Sequence, residues 1–145
     1  MLVVCTCFLF ACEDDDTEKK QLKEDIKKIE AYLEENNIDA ESTDFGLFYT
    51  IEEQGTGDYP ENSSWVKVRY EGMLLDEQVF DEGIIESYLI DFIEGWIKGM
   101  KFFKEGSSGT LFVPSKFGYG DQASGSIPAN SVLSFHIDLL EVTDR

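Results

Sequence analysis

The chain has 145 residues, with 30 acidic against 12 basic side chains, a formal net charge of −18 and a hydrophobic content of 42%. So acidic a surface repels phosphate backbones and anionic headgroups, which argues against nucleic acid as a partner. The length suits one compact domain with an appendage. All aromatic residues except Phe8, Phe10 and Tyr32 lie at or after Phe45, so the core is expected in the C-terminal two thirds.

Met1 to Cys12 carries no charge, holds all three cysteines (Cys5, Cys7, Cys12) and runs into Glu13-Asp14-Asp15-Asp16. It is shorter than the about 20 apolar residues that span a bilayer. It reads as the apolar core of an export signal, with a buried N-terminal strand as the alternative. Leu9-Phe10-Ala11-Cys12 resembles a bacterial lipobox, although Phe10 departs from the usual residue. That resemblance implies a signal over residues 1–12, lipidation at Cys12, loss of Cys5 and Cys7, and membrane contact only through the lipid. It places the protein in the bacterial cell envelope, as an outer-membrane lipoprotein facing the periplasm or the cell surface.

Residues 13–44 read as an acidic spacer and an amphipathic helix. From Thr17 to Asn37, the apolar residues Leu22, Ile26, Ile29 and Leu33 recur at spacings of four, three and four, which forms one stripe. Asp16 or Thr17 is the expected N-cap, Asn36-Asn37 the expected stop, and Glu24 with Lys28 a favourable i, i+4 pair. So short a stripe is marginal for self-association, so docking on the following domain or a simple stalk is expected, and a monomer is favoured.

The domain is expected over residues 45–145. Leu47 to Glu53 reads as a strand ended by Gly55-Thr56-Gly57. Trp65 to Tyr70 alternates, with Val66, Val68 and Tyr70 on the core face, and Gly72 permits a bulge. Asp76-Glu77 is a turn, Val79-Phe80 resumes the strand, and Glu82 to Tyr88 reads as a short connection. Gly109 to Val113 and Leu133 to Val142 are further strands, separated by a Gly- and Ser-rich loop over residues 118–131. The helix that can be placed here begins near Trp96 and stops before Gly106. The fold class is α+β: an antiparallel sheet around one short helix, preceded by the N-terminal helix.

Conventional catalytic groups are nearly missing. His136, the sole histidine, alternates with Phe135 and Ile137 and is expected on the outer face. No cysteine follows Cys12, no serine sits in a G-x-S-x-G elbow, and Gly118-Tyr119-Gly120 does not open a helix in the manner of a phosphate loop. No metal-ligand spacing is found, and no cofactor is expected. Chemistry here requires neither a nucleophile nor a metal.

What the domain offers is aromatic and branched apolar residues at loops and strand ends. Val68-Arg69-Tyr70-Glu71-Gly72-Met73-Leu74, Val79-Phe80-Asp81, Phe92-Ile93-Glu94-Gly95-Trp96, Phe117-Gly118-Tyr119-Gly120, Ile127-Pro128-Ala129-Asn130 and Val132-Leu133-Ser134-Phe135 follow one another in that order. Together they resemble an FKBP-type peptidyl-prolyl cis-trans isomerase, over roughly residues 45–143. The lipobox, acidic run and preceding helix resemble its lipoprotein members from Bacteroidetes. The resemblance implies Trp96 as the floor of an apolar pocket, with Tyr70, Phe80, Phe92, Ile93 and Phe135 as walls and Tyr119 and Ile127 at the rim. It implies that the Ile93 N–H and the Tyr119 hydroxyl bind peptide carbonyls, with Asp81 near the proline amide. The catalytic set is then Tyr70, Phe80, Asp81, Ile93, Trp96, Tyr119 and Phe135. Phe92, Ile127 and Ile85, where an aromatic wall is common, contact the substrate. Phe92 replaces a usual valine and narrows the pocket, and Ala129 replaces a frequent proline. The expected partners are proline-containing segments of folding proteins. The alternative function is a non-catalytic proline-peptide-binding chaperone or surface adhesin module.

Overall fold

The computed structural model describes residues 11–144, with side chains from Asp15 onward. The expected export-signal residues up to Phe10, and the Cys12 side chain, lie outside that range. In chain order the elements are α1 (Ala11–Glu35), β1 (Glu41–Ser42), β2 (Phe48–Glu53), β3 (Ser64–Leu74), β4 (Val79–Tyr88), α2 (Glu94–Gly99), β5 (Ser108–Val113) and β6 (Leu133–Asp144). Single 3-10 turns lie at Leu89–Asp91, Met100–Phe102 and Ser115–Phe117. All strand pairs are antiparallel, in the order β1-β2-β5-β6-β3-β4. The sheet wraps around α2, which is the expected α+β architecture.

The apolar residues of both faces explain this layering. In β5, Leu111 and Val113 join the cluster around α2, with Trp96, Met100 and Phe103. Phe112, between them in sequence, points the other way and packs with Ile29, Leu33, Phe48 and Val132. A strand covered on both faces is apolar throughout, so β5 lies between α1 and α2. The Leu22–Leu33 stripe therefore docks on the domain.

Four expectations about local structure change. Helix α1 already includes Ala11, six residues before Thr17, so neither Asp16 nor Thr17 caps it. The acidic run, expected as a solvated spacer, is helical; acids are favoured near a helix N-terminus, and Asp15 pairs with Lys19 at 2.6 Å. Lys28 lies 3.7 Å from Asp25, one position along from the expected partner Glu24. The fourth change is that β4 continues through Glu82–Tyr88, pairing with β3 as far as Trp65↔Tyr88. Its exposed edge position hid it, because Glu82, Glu86 and Ile84 face water and the alternation is lost.

The expected stop holds. Asn37 adopts φ 52°, its N–H donates to Glu34 O at 3.2 Å, and Ile38 N–H donates to Leu33 O at 2.9 Å. This left-handed cap satisfies the last carbonyls, and both Ile38 and Leu33 pack in the cluster under α1. The expected irregularity at Gly72 is also present, as a register shift between Gly72 and Met73.

Candidate active site

The pocket floor starts from two glycines. A Cβ on Gly95 would lie 2.4 Å from Val113 Cγ1, and one on Gly99 would lie 2.6 Å from Leu111 Cδ2. Four residues apart, they form one face of α2, which seats flush on β5. Trp96 thereby enters the sheet's concave side at 4% exposure. Its indole meets Phe92 at 5.0 Å, Tyr70 at 5.2 Å and Phe135 at 5.4 Å between ring centroids, the last two edge to face. Among the described residues its buried Nε1–H has no partner.

The walls come from sheet register. Phe135 and Asp81 both oppose Gly72, on β6 and β4 respectively. A Cβ on Gly72 would stand 2.6 Å from the Phe80 ring and 3.0 Å from that of Phe135, so the glycine lets those rings meet edge to face at 5.6 Å. Tyr70 opposes Gly83, two residues beyond Asp81, and its hydroxyl reaches diagonally to donate to Asp81 Oδ2 at 2.7 Å. The Glu82 N–H donates to the other Asp81 oxygen at 3.0 Å. Burial first, then the hydrogen bond and negative charge of Asp81, push the Tyr70 hydroxyl up to about 12. It stays a proton donor throughout the physiological range.

These walls enclose about 120 Å³, lined by Tyr70, Phe80, Asp81, Ile85, Phe92, Ile93, Trp96, Tyr119 and Phe135. Nine of the ten expected pocket residues are thus brought together. Ile127 is not among them: at 6% exposure it sits in the core, where it supports the loop from below. Ile93 precedes α2, and its carbonyl accepts the Trp96 and Ile97 N–H groups at 3.0 and 3.2 Å. Among the described residues neither the Ile93 N–H nor the Tyr119 hydroxyl has a hydrogen-bond partner, and Tyr119 is 41% exposed. His136 lies away from this site, 3.8 Å from Glu52.

Residues 57–140 match the sequence profile of the FKBP-type peptidyl-prolyl cis-trans isomerases. The chain belongs to that family. It is 39% identical over 130 residues to the FKBP-type isomerase FkpA of Aeromonas hydrophila, an alignment that takes in 85% of this chain and 48% of the relative. It is 36% identical over 119 residues to the FKBP-type 22 kDa isomerase of Escherichia coli, covering 77% of this chain and 58% of that one. The crystal structure of FkpA from Escherichia coli superposes with a TM-score of 0.75 at 30% identity, covering 90% of this chain and 64% of that one. The chain thus spans about half the length of the curated relatives it matches.

Two features of this FKBP-type site escaped the sequence reading. Gly72 was assigned a bulge but not its clearance for two rings. Asp25, on α1, is fully buried and accepts hydrogen bonds from the Ser115 N–H and hydroxyl, two residues before Phe117 of the rim segment. The signal was present: Asp25 is three residues after Leu22 and four before Ile29, inside the apolar stripe.

Proposed function

We propose that this chain is a peptidyl-prolyl cis-trans isomerase acting on Xaa–Pro bonds of exported proteins. The observation that carries the reading is an aromatic pocket on a fixed floor, with a backbone N–H and a hydroxyl at its rim that have no partner among the described residues.

Rotation about an Xaa–Pro bond passes through a twisted amide that has lost resonance, over a barrier of about 18–20 kcal/mol. The planar amide is the more polar state and is better solvated by water. A desolvated aromatic pocket therefore favours the twisted state relative to the planar one. The proline ring stacks on the Trp96 indole between Tyr70, Phe80 and Phe135, while Ile85 and Phe92 close the sides. The Ile93 N–H and the Tyr119 hydroxyl hold flanking carbonyls, which leaves the Xaa–Pro bond as the free rotor. Asp81, kept in place by Tyr70, presents its charge to the edge of the proline amide. A hundredfold to millionfold acceleration requires about 3–8 kcal/mol of such differential binding, with no proton transfer to a side chain.

The cavity of about 120 Å³ is small beside the about 300–1,000 Å³ of drug-sized sites. It suits one small ring, and Phe92 narrows it. That same observation favours the second reading, a proline-peptide-binding chaperone or adhesin without useful turnover. Exchange spectroscopy on a short Xaa–Pro peptide separates them. Cis–trans exchange faster than the spontaneous rate is expected. Peptide shifts without faster exchange would establish the second reading, and neither effect would remove both.

For the N-terminus we propose a lipid on Cys12 and location in the bacterial envelope, on the lipobox resemblance. Cys12 precedes Asp25 by thirteen residues of helix, which at 1.5 Å per residue sets the lipid about 20 Å along α1 from Asp25. Among the described residues no helix is long and apolar enough to cross a membrane.

A further inference from the structure

Asp25 is the one fully buried charged residue among those described. A buried carboxylate is costly unless its oxygens are hydrogen-bonded. Here Oδ2 accepts the Ser115 N–H at 2.9 Å and the Ser115 hydroxyl at 2.5 Å, and Oδ1 accepts the Gln21 amide at 2.9 Å. Ser115 opens the 3-10 turn Ser115–Phe117, whose N-cap position is held by Pro114. Proline has no side-chain acceptor for the first N–H of the turn. Helix α1 supplies the missing cap from ninety residues away.

The turn leads directly into the pocket rim. The Ser115 carbonyl accepts the Gly118 N–H at 3.0 Å and the Gly120 N–H at 2.8 Å, which brackets Tyr119. The Gly120 carbonyl in turn accepts the Asn130 N–H at 2.8 Å. A continuous path thus runs from the Asp25 carboxylate through both sides of Ser115 to the backbone on either side of Tyr119. Lys116, in the same turn, adds a second tie to α1 through Glu18 at 3.4 Å.

We infer that Asp25 is a positioning residue for the pocket: by capping the Ser115 turn it sets the place of the Tyr119 hydroxyl, and α1 is part of the working site. The catalytic side of this inference rests on the isomerase reading; the structural side does not. The exposed Tyr119 side chain has no hydrogen bond among the described residues, so the place of its hydroxyl depends on the backbone around it. A docked helix that only covered apolar surface would leave that backbone unaffected.

The test uses the full chain with Asp25→Ala and Asp25→Asn. Amide hydrogen exchange at Gly118, Gly120 and Asn130 is followed beside kcat/KM on an Xaa–Pro peptide. Asp25→Ala should speed exchange at those three amides by about tenfold or more, relative to amides of β3 and β6. It should lower kcat/KM by about three- to tenfold, the effect of mispositioning one hydrogen-bonding group. Asp25→Asn, which keeps an acceptor for the Ser115 N–H, should recover part of both. In a Tyr119→Phe background, Asp25→Ala should cost little further rate, because the two changes act through one hydroxyl. Unchanged exchange at Gly118 and Gly120, or an equal rate loss with and without the Tyr119 hydroxyl, would overturn the inference. If Asp25→Ala does not fold, Ser115→Ala removes one of the two bonds and carries the same test. Should the wild-type chain fail to accelerate exchange, the isomerase reading falls, while the amide readout still decides whether Asp25 orders the Tyr119 backbone.

Discussion

Replacing Trp96 by phenylalanine separates the two roles of the indole, packing and floor. Truncating a buried Trp or Phe to alanine costs about 3–5 kcal/mol, so losing one ring of two costs about 1–2 kcal/mol. Against this, the substitution removes a buried N–H that has no partner among the described residues, a liability of about 1–3 kcal/mol. The two nearly cancel, and folding stability should stay within about 1 kcal/mol of the parent. Catalysis has no such compensation. On the proposed reading the proline ring loses the broad face on which it stacks, and about 1–2 kcal/mol of lost contact should lower kcat/KM about five- to thirtyfold. Urea denaturation followed by circular dichroism gives the first quantity, and peptide exchange gives the second. Tryptophan fluorescence is unsuitable because Trp65 remains. A loss of stability beyond about 3 kcal/mol with kcat/KM unchanged would show that Trp96 is packing alone, and would refute the pocket argument.

Two further expectations concern other parts of the chain. The Tyr70 proton is held more tightly in the folded state, at about 12 against an ordinary value of 10.0, so its contribution is complete below about pH 10 and fades as pH rises toward 12. Denaturation midpoints between pH 9 and 11.5 should therefore fall more steeply in the parent than in Tyr70→Phe; equal slopes would remove the role given to the Asp81 hydrogen bond. Mass analysis of the chain isolated from its own membranes should show an N-terminus at Cys12 carrying acyl groups, and recovery of residues 1–11 would exclude the anchor.

Long-period patterns were legible in the sequence because one physical cause dominates each. Alternation over Trp65 to Tyr70 reports one buried sheet face, and the Leu22–Leu33 spacing reports one buried helix face. The pocket aromatics were legible through the order of their motifs, not through any single residue. Two kinds of feature were lost. The second half of β4 lies at the sheet edge, where water on both sides removes the alternation that marks a strand. Asp25 was hidden because its partner Ser115 is ninety residues away. A charge inside an apolar stripe announces a buried partner without saying which. Ile127 erred in the opposite direction: its motif lies near the rim, but a branched side chain in a loop turns inward where the core has room for it.

Gly95 and Gly99 also determine which parts of the pocket can vary. With Gly95 of α2 pressed against Val113 and Gly99 against Leu111, the height of α2 over the sheet is set by main-chain contact and not by what covers it. Retuning must then come from above: Phe92, Ile85 and the Tyr119 segment can exchange size and polarity while the base stays still. On the proposed reading, substrate preference and the height of the floor reside in separate residues. A directed library at those three positions would explore new sequence contexts around proline without risking the scaffold beneath them.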